Sequence, residues 1–413
     1  MMRKIIWLAA VAGLCAGLTA CGGGGGSNNS SSSGNSGTNT GTGTSTGTSS
    51  NAANTVQVTV SPAGGNVRNY PMVSVTICAA NSNASSNCST VNNVLVDTGS
   101  YGLRIFASQI PSATLAGMPN VATTQTMAEC TGFGSGDTWG TVRAADIKLS
   151  AEVAANLPIQ VIQDSSLAAS MPSGCTTGPS INTPSVLGAN GILGIGAAQS
   201  DLGAGTYFSC SGTSCTRTNP TNTQVIANPV VLFPNDNNGV IVEFAQVPDS
   251  GAATATGTLV FGIDTQSNNA LAGTGATILP TDGNGNMAVS FNGTSYPAGP
   301  SGGFLDSGSN GIFFNDASLS TDSNTFFTPS STLAMSAVLT AANSTSATVQ
   351  FNVANADSLF STGNYAFNNL AGAAPSGLDL GMPFFYGKNV YQGIAGTAST
   401  GGGTGPYVAY TSN

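Results

Sequence analysis
The chain has 413 residues, room for one two-lobed domain or two modest ones. It sets 17 acidic residues against 8 basic ones and has no histidine. That excludes Ser-His-Asp and Cys-His catalysis, most zinc enzymes, and a basic surface for nucleic-acid phosphates. Only 6% of residues are charged, so helix-forming Glu, Lys and Arg are scarce and the surface falls to Ser, Thr, Asn and Gln, a composition that favours strands and loops.

From the N-terminus, residues 1–20 read as a signal peptide: Arg3 and Lys4, an apolar stretch over 5–17 too short to span a bilayer, then Leu18-Thr19-Ala20-Cys21. The last four resemble a bacterial lipobox, which makes Cys21 the lipidated residue and the lipid the protein's attachment to the membrane. Gly22 after it, by resemblance to lipoprotein sorting, points to the outer membrane of the cell envelope. The rest of 21–54 is almost all Gly, Ser, Thr and Asn, which cannot bury enough apolar surface to order itself and reads as a disordered tether. As a flexible coil of some thirty residues it has an end-to-end distance of roughly 30 Å.

Short apolar runs with strand character then recur between turn clusters. Val56, Val58 and Val60 alternate with polar residues, and further runs cover 73–78, 94–96, 159–162, 230–233 and 240–244. Gly, Asn, Pro and Ser clusters at 61–66, 234–239 and 281–286 supply turns. The expected class is all-β, with helical signal confined to short pieces such as 331–341, where a Ser-rich start precedes Leu333, Met335, Val338 and Leu339. Six cysteines remain after Cys15 and Cys21, an even number that in an exported chain reads as disulfides. Proximity suggests Cys78 with Cys88 and Cys210 with Cys215, leaving Cys130 with Cys175; this is one of fifteen connectivities. A metal cluster is the weaker alternative, because no C-x-x-C occurs and no histidine exists.

Two tetrapeptides carry the chemistry. Val94-Leu95-Val96 runs into Asp97-Thr98-Gly99-Ser100, and Phe304-Leu305 runs into Asp306-Ser307-Gly308-Ser309. A carboxylate after an apolar strand, followed by a hydroxyl residue and Gly, sits at the base of a tight turn whose N–H groups orient it. The segments continue alike, as Asp-Thr-Gly-Ser-Tyr-Gly-Leu and Asp-Ser-Gly-Ser-Asn-Gly-Ile, the mark of an internal duplication. Two such turns bring two carboxylates face to face from two lobes, where they share one proton and activate a water.

Three further segments extend the pattern: Ile192-Leu193-Gly194, Gly257-Thr258-Leu259-Val260-Phe261-Gly262-Ile263-Asp264, and Leu380-Gly381-Met382-Pro383-Phe384-Phe385. Together with the two turns they resemble the pepsin-like aspartic peptidases, in family order over residues 94–385. The resemblance implies an all-β, bilobal fold with a cleft between lobes of about 55–255 and 256–413. It also implies a catalytic pair Asp97 and Asp306, with Thr98 and Ser307 cross-bracing the turns, Gly99 and Gly308 completing them, and Ser100 and Ser309 bonding the outer carboxylate oxygens. No metal or cofactor is implied, and the partner is a peptide or protein substrate handled by a monomer.

The sequence departs from the family in its flap, the first-lobe hairpin whose Tyr normally touches a Trp just after the first Asp turn. The candidate hairpin, 133–140, has no Tyr, and Arg104 stands where the Trp would be. Phe133, Gly134 and Trp139 are the residues placed to cover the cleft instead, and Arg104 is open to pairing with Asp137, to an acidic substrate group, or to solvent. Gly-rich stretches at 132–136 and 188–196 lack G-K-[ST] and a following helix signal, so they are not phosphate loops. The expected function is an aspartic-type endopeptidase; the alternative is a catalytically silent pepsin-like lipoprotein serving as a binding or envelope-structural module.

Overall fold
The computed structural model describes residues 52–64, 67–175 and 178–412. The leader, Cys21 and the tether up to residue 51 lie outside the described residues. Asn54, at the tether's expected end, already belongs to the fold: it is buried, and its amide donates to the Phe261 carbonyl at 2.9 Å.

In chain order the strands that build the site and its frame are β1 (Thr55–Val60), β2 (Met72–Cys78), β3 (Ser89–Asp97), β4 (Tyr101–Phe106), β5 (Thr126–Phe133) and β6 (Gly136–Leu149). They continue with β7 (Glu152–Ile162), β8 (Gly191–Ile195), β9 (Gly239–Phe244), β10 (Ala255–Phe261), β11 (Gly303–Leu305) and β12 (Ile312–Phe314). The last are β13 (Leu333–Thr340), β14 (Ser346–Val353), β15 (Leu378–Leu380), β16 (Lys388–Gly393) and β17 (Tyr407–Ser412). The α-helices among the described residues have only four to six residues each. The protein is all-β and bilobal.

The segment 331–341 is a strand rather than a helix. Ala337 and Leu339 are buried while Ala334, Ser336 and Val338 face out, a period of two, and β13 pairs along its whole length with β14. The apolar residues at 333, 335 and 339 already fit that period. What decides between it and a helix is a partner strand, and β14 supplies eight paired residues for the β13 ladder.

Each lobe repeats one arrangement. β3 alternates at its start but is wholly buried from Val94 onward as it dives to Asp97. The chain turns and leaves as β4, and β8 later slips between the two, parallel to β3 with Asp97 opposite Gly194 and antiparallel to β4 with Leu103 opposite Leu193. In the second lobe β15 slips in the same way between β11, parallel, and β12, antiparallel. The register makes Leu380 the counterpart of Leu193, Asp379 that of Ile192, and Phe313 that of Arg104.

A shared sheet joins the lobes. β1 pairs with β10, β10 with β9, β9 with β16 and β16 with β17, all antiparallel, so strands from both halves alternate in one ladder. The largest apolar cluster runs from Val58 to Val408 without a break between lobes. Three disulfides, Cys78–Cys88, Cys130–Cys175 and Cys210–Cys215, pair as proximity suggested, and all lie in the first lobe.

Candidate active site
The two Asp turns meet where the buried ends of β3 and β11 converge. In the first, the Gly99 N–H donates to Asp97 Oδ1 at 2.7 Å and the Ser100 hydroxyl to Oδ2 at 2.5 Å. In the second, the Gly308 N–H donates to Asp306 Oδ1 at 2.8 Å and the Ser309 hydroxyl to Oδ2 at 3.2 Å. Both carboxyls are fully buried. Thr98 and Ser307 lock the turns together reciprocally: the Thr98 hydroxyl donates to the Leu305 carbonyl and accepts from the Ser307 N–H, while the Ser307 hydroxyl donates to the Val96 carbonyl and accepts from the Thr98 N–H, at 2.7–3.1 Å.

Why both turns need Gly is a matter of contact. A methyl group on Gly99 would lie 2.4 Å from the carboxyl carbon of Asp306, and one on Gly308 would lie 2.7 Å from Asp97 Oδ1 and 3.2 Å from Asp306 Oδ1. Each carboxyl is thus seated against the other turn's glycine. Two atoms that near a common point are less than about 6 Å apart, a span that one bound water bridges.

The lobes differ around this centre. The Ser309 hydroxyl lies 2.5 Å from Asp379 Oδ2 as well as 3.2 Å from Asp306 Oδ2, so one hydroxyl reaches two carboxyls. The first lobe has the apolar Ile192 at the matching place. Tyr70, which precedes β2, is buried, and its phenol has no hydrogen-bond partner among the described residues; burial and the charges of Asp97 and Asp306 push it far above its ordinary value.

The candidate flap is a hairpin of β5 and β6 with Gly134 exposed at its tip and Phe133 opposite Gly136. Phe133 lines a cavity of about 60 Å³ beside Asp97; Trp139 does not. Trp139 instead donates its indole N–H to the Ala169 carbonyl at 3.0 Å and meets Phe208 edge-on, next to the Cys130–Cys175 bridge.

Arg104 is neither solvated nor paired with Asp137. It is fully buried, its Nη2 donating to Glu129 at 2.7 Å and to Asp201 at 2.6 Å, its Nη1 to the Tyr101 carbonyl at 2.8 Å. Asp137 is buried elsewhere and accepts the Gly178 N–H. Arg104 reaches inward because its neighbour on β5, Glu129, is an acid inside the fold, and a buried guanidinium requires such a partner. Its charged end also lies 5.7 Å from the Phe133 ring, a cation–π contact between the first Asp turn's strand and the hairpin. Burial opposes ionisation of Glu129, but Arg104 overcomes it and holds that carboxyl low; burial and then the Glu129 charge drive Asp201 well above the carboxylate range.

Sequence reasoning missed Glu129, Asp201, Asp379 and Tyr70. The available signal was an acid inside an apolar strand run, as in Leu378-Asp379-Leu380, in a chain with so few acids to place.

Comparison with curated proteins finds no match. Among solved structures the chain is similar to an aspartic proteinase from Irpex lacteus, with TM-score 0.48 and 16% identity over 88% of this chain and 98% of that one. A family model described as "Protein of unknown function (DUF3443)" matches residues 50–410, and the chain belongs to that family.

Proposed function
We propose that the protein is an aspartic-type endopeptidase whose Asp97 and Asp306 activate a water for attack on a peptide bond. The observation that carries this reading is the seating of each carboxyl against the glycine of the opposite turn, with each Oδ1 held by the N–H of its own turn's glycine. Two acids this close hold a single negative charge more readily than two. The ionised one takes a proton from the water while the protonated one donates to the scissile carbonyl oxygen; the resulting diol collapses as the proton passes to the leaving amine. Ser100 and Ser309 hold the two Oδ2 atoms through their hydroxyls, which fixes the plane of each carboxyl for this work.

A second reading, a pepsin-like scaffold that binds peptides without cutting them, is favoured by one feature: the Arg104–Phe133 contact in place of the Tyr–Trp flap pair of the pepsin-like peptidases. One experiment separates the two. On a denatured protein substrate between about pH 3 and 7, the wild type should cleave and be inhibited by a statine-type peptide. Asp97→Asn and Asp306→Asn should each lower turnover by about a thousandfold or more with the melting temperature retained. Binding of the statine peptide without cleavage supports the scaffold; neither binding nor cleavage sinks both.

We propose attachment to the bacterial outer membrane through lipidated Cys21. Cys21→Ser should move the protein from the membrane fraction to the soluble one, and unchanged partition into detergent overturns the attachment.

A further inference from the structure
The two members of the acid pair are held unequally. The Ser100 hydroxyl donates to Asp97 Oδ2 at 2.5 Å, within the range of about 2.5–2.7 Å for a hydroxyl on an ionised carboxylate. The Ser309 hydroxyl lies at the same 2.5 Å from Asp379 Oδ2 but 3.2 Å from Asp306 Oδ2. A hydroxyl has a single hydrogen to give, and the shorter contact takes the larger share of it. Asp379 therefore has the geometry of a charged acceptor, and Asp306 is left with a weak donor where Asp97 has a strong one.

The strands build this inequality in. β15 inserts between β11 and β12 as β8 does between β3 and β4, and the register puts Asp379 where the first lobe has Ile192. Asp379 stands opposite Phe304 and Phe313 in the two flanking ladders and is 4% exposed. An acid buried at such a place is costly, and packing does not require it, since the fully buried Ile192 fills the matching position.

Both Oδ2 atoms contact Ser309 Oγ, so they are less than about 6 Å apart, near enough for the charge of one to oppose ionisation of the other. Among the described residues, the titratable groups facing Asp306 are Asp97 from the turn after β3, Asp379 from β15 and Tyr70 from the segment before β2. Tyr70 stays neutral, because burial and then Asp97 and Asp306 push its phenol far above its ordinary value. Asp97 and Asp379 act on Asp306 with the same sign, and each favours a proton there.

We infer that Asp379 is a positioning residue for the acid pair: it draws off the Ser309 hydrogen and sets a second negative charge beside Asp306, so that the pair's one proton stays on Asp306 and Asp97 is the ionised partner. In the reaction proposed above, Asp97 then takes the proton from the water and Asp306 gives its own to the carbonyl oxygen. That consequence rests on the endopeptidase reading; the placement of the proton does not.

The test titrates the full chain by NMR, isotopically labelled at its aspartate carboxyls, with the resonances assigned by their loss in Asp97→Asn, Asp306→Asn and Asp379→Asn. In the wild type the Asp306 carboxyl should keep its proton to a higher pH than Asp97 or Asp379. In Asp379→Asn, and in Asp379→Ile, which copies the first lobe, Asp306 should lose that proton about one pH unit lower, a tenfold fall in proton affinity. The alkaline limb of the pH profile for cleavage of a denatured protein should move down by the same amount. A residue that only supported the fold would change the height of that profile and leave its limb in place. If the Asp379 variants do not fold, the order in the wild type decides: a proton held longer on Asp97 than on Asp306 overturns the inference. An Asp306 titration or an alkaline limb that the Asp379 substitutions leave unmoved overturns it too, and with cleavage retained the endopeptidase stands. The expected titration without any hydrolysis supports the placement of the proton and overturns the endopeptidase.

Discussion

Gly99 and Gly308 are the residues at which the smallest change should have the largest effect. A methyl group 2.4 Å from the Asp306 carboxyl carbon cannot be accommodated by rotating a flexible side chain, because Asp306 is held by Gly308 and Ser309. Gly99→Ala should therefore part the turns, lower any turnover by more than about a hundredfold and reduce the melting temperature, since overpacking of a tight site costs about 1–3 kcal/mol. Unchanged activity and melting would show that the carboxyls are not seated as described. Far from the cleft, Glu152 gives a pH effect of determinate sign. Burial, then the charge and hydrogen bond of Asp236, raise its pKa to about 7 from 4.5. A carboxyl raised on folding contributes stability below its unfolded value, and that contribution is lost as pH rises through its folded one. The wild type should lose stability between about pH 4.5 and 7 through this group, and Glu152→Gln should melt higher than wild type at pH 8 but not at pH 4. Parallel melting curves at the two pH values would overturn the assignment. At this scale the two Asp turns were legible because each is written in consecutive residues, whereas the acidic partners of Arg104 lie 25 and 97 residues away and no local pattern links them.

Among the elements, the loop between β2 and β3 shows how a polar chain holds shape without a core of its own. The Cys78–Cys88 bridge closes it, and Asp146 of β6 gathers the N–H groups of Asn81, Ser82 and Ala84, together with that of Asn156, at 2.7–3.1 Å. Burial disfavours the Asp146 charge, but the N–H groups of Asn156, Ala84 and Ser82 outweigh it and hold the carboxyl below its ordinary range. A depressed carboxyl contributes stability above its unfolded value, lost as pH falls through the folded one. Asp146→Asn should cost roughly 2–4 kcal/mol at pH 7, a difference that chemical denaturation should find shrinking in strong acid. A gap that persists there would mean that shape rather than charge matters. The strand β13 within 331–341 marks where reading by element fails: four apolar residues among Ser, Thr and Ala suit either period, and the deciding fact, the ladder to β14, lies in another segment.

Over the whole molecule, the duplication legible in the two turns does not yield two separable halves. β9 lies within the first 255 residues yet pairs with β10 and β16, which come after them, and β1 finds its partner in β10. Local patterns locate strands but not their neighbours, so the sequence suggested a boundary near 255 while the sheet runs across it. The full chain should unfold in one transition by fluorescence and by circular dichroism in urea, and a fragment of residues 55–255 should show no cooperative melt. An independently folding fragment would overturn this view. The place of β1 inside that shared sheet has a mechanical consequence. The described chain enters the fold through a strand paired at all six residues with β10 and fastened at Asn54 to Phe261. Tension drawn along β1 from the N-terminal side loads those rungs in shear, together rather than one after another, and it reaches the common base of both lobes before it reaches the cleft. A pull from the N-terminal side is thus borne by that ladder before it can prise Asp97 from Asp306.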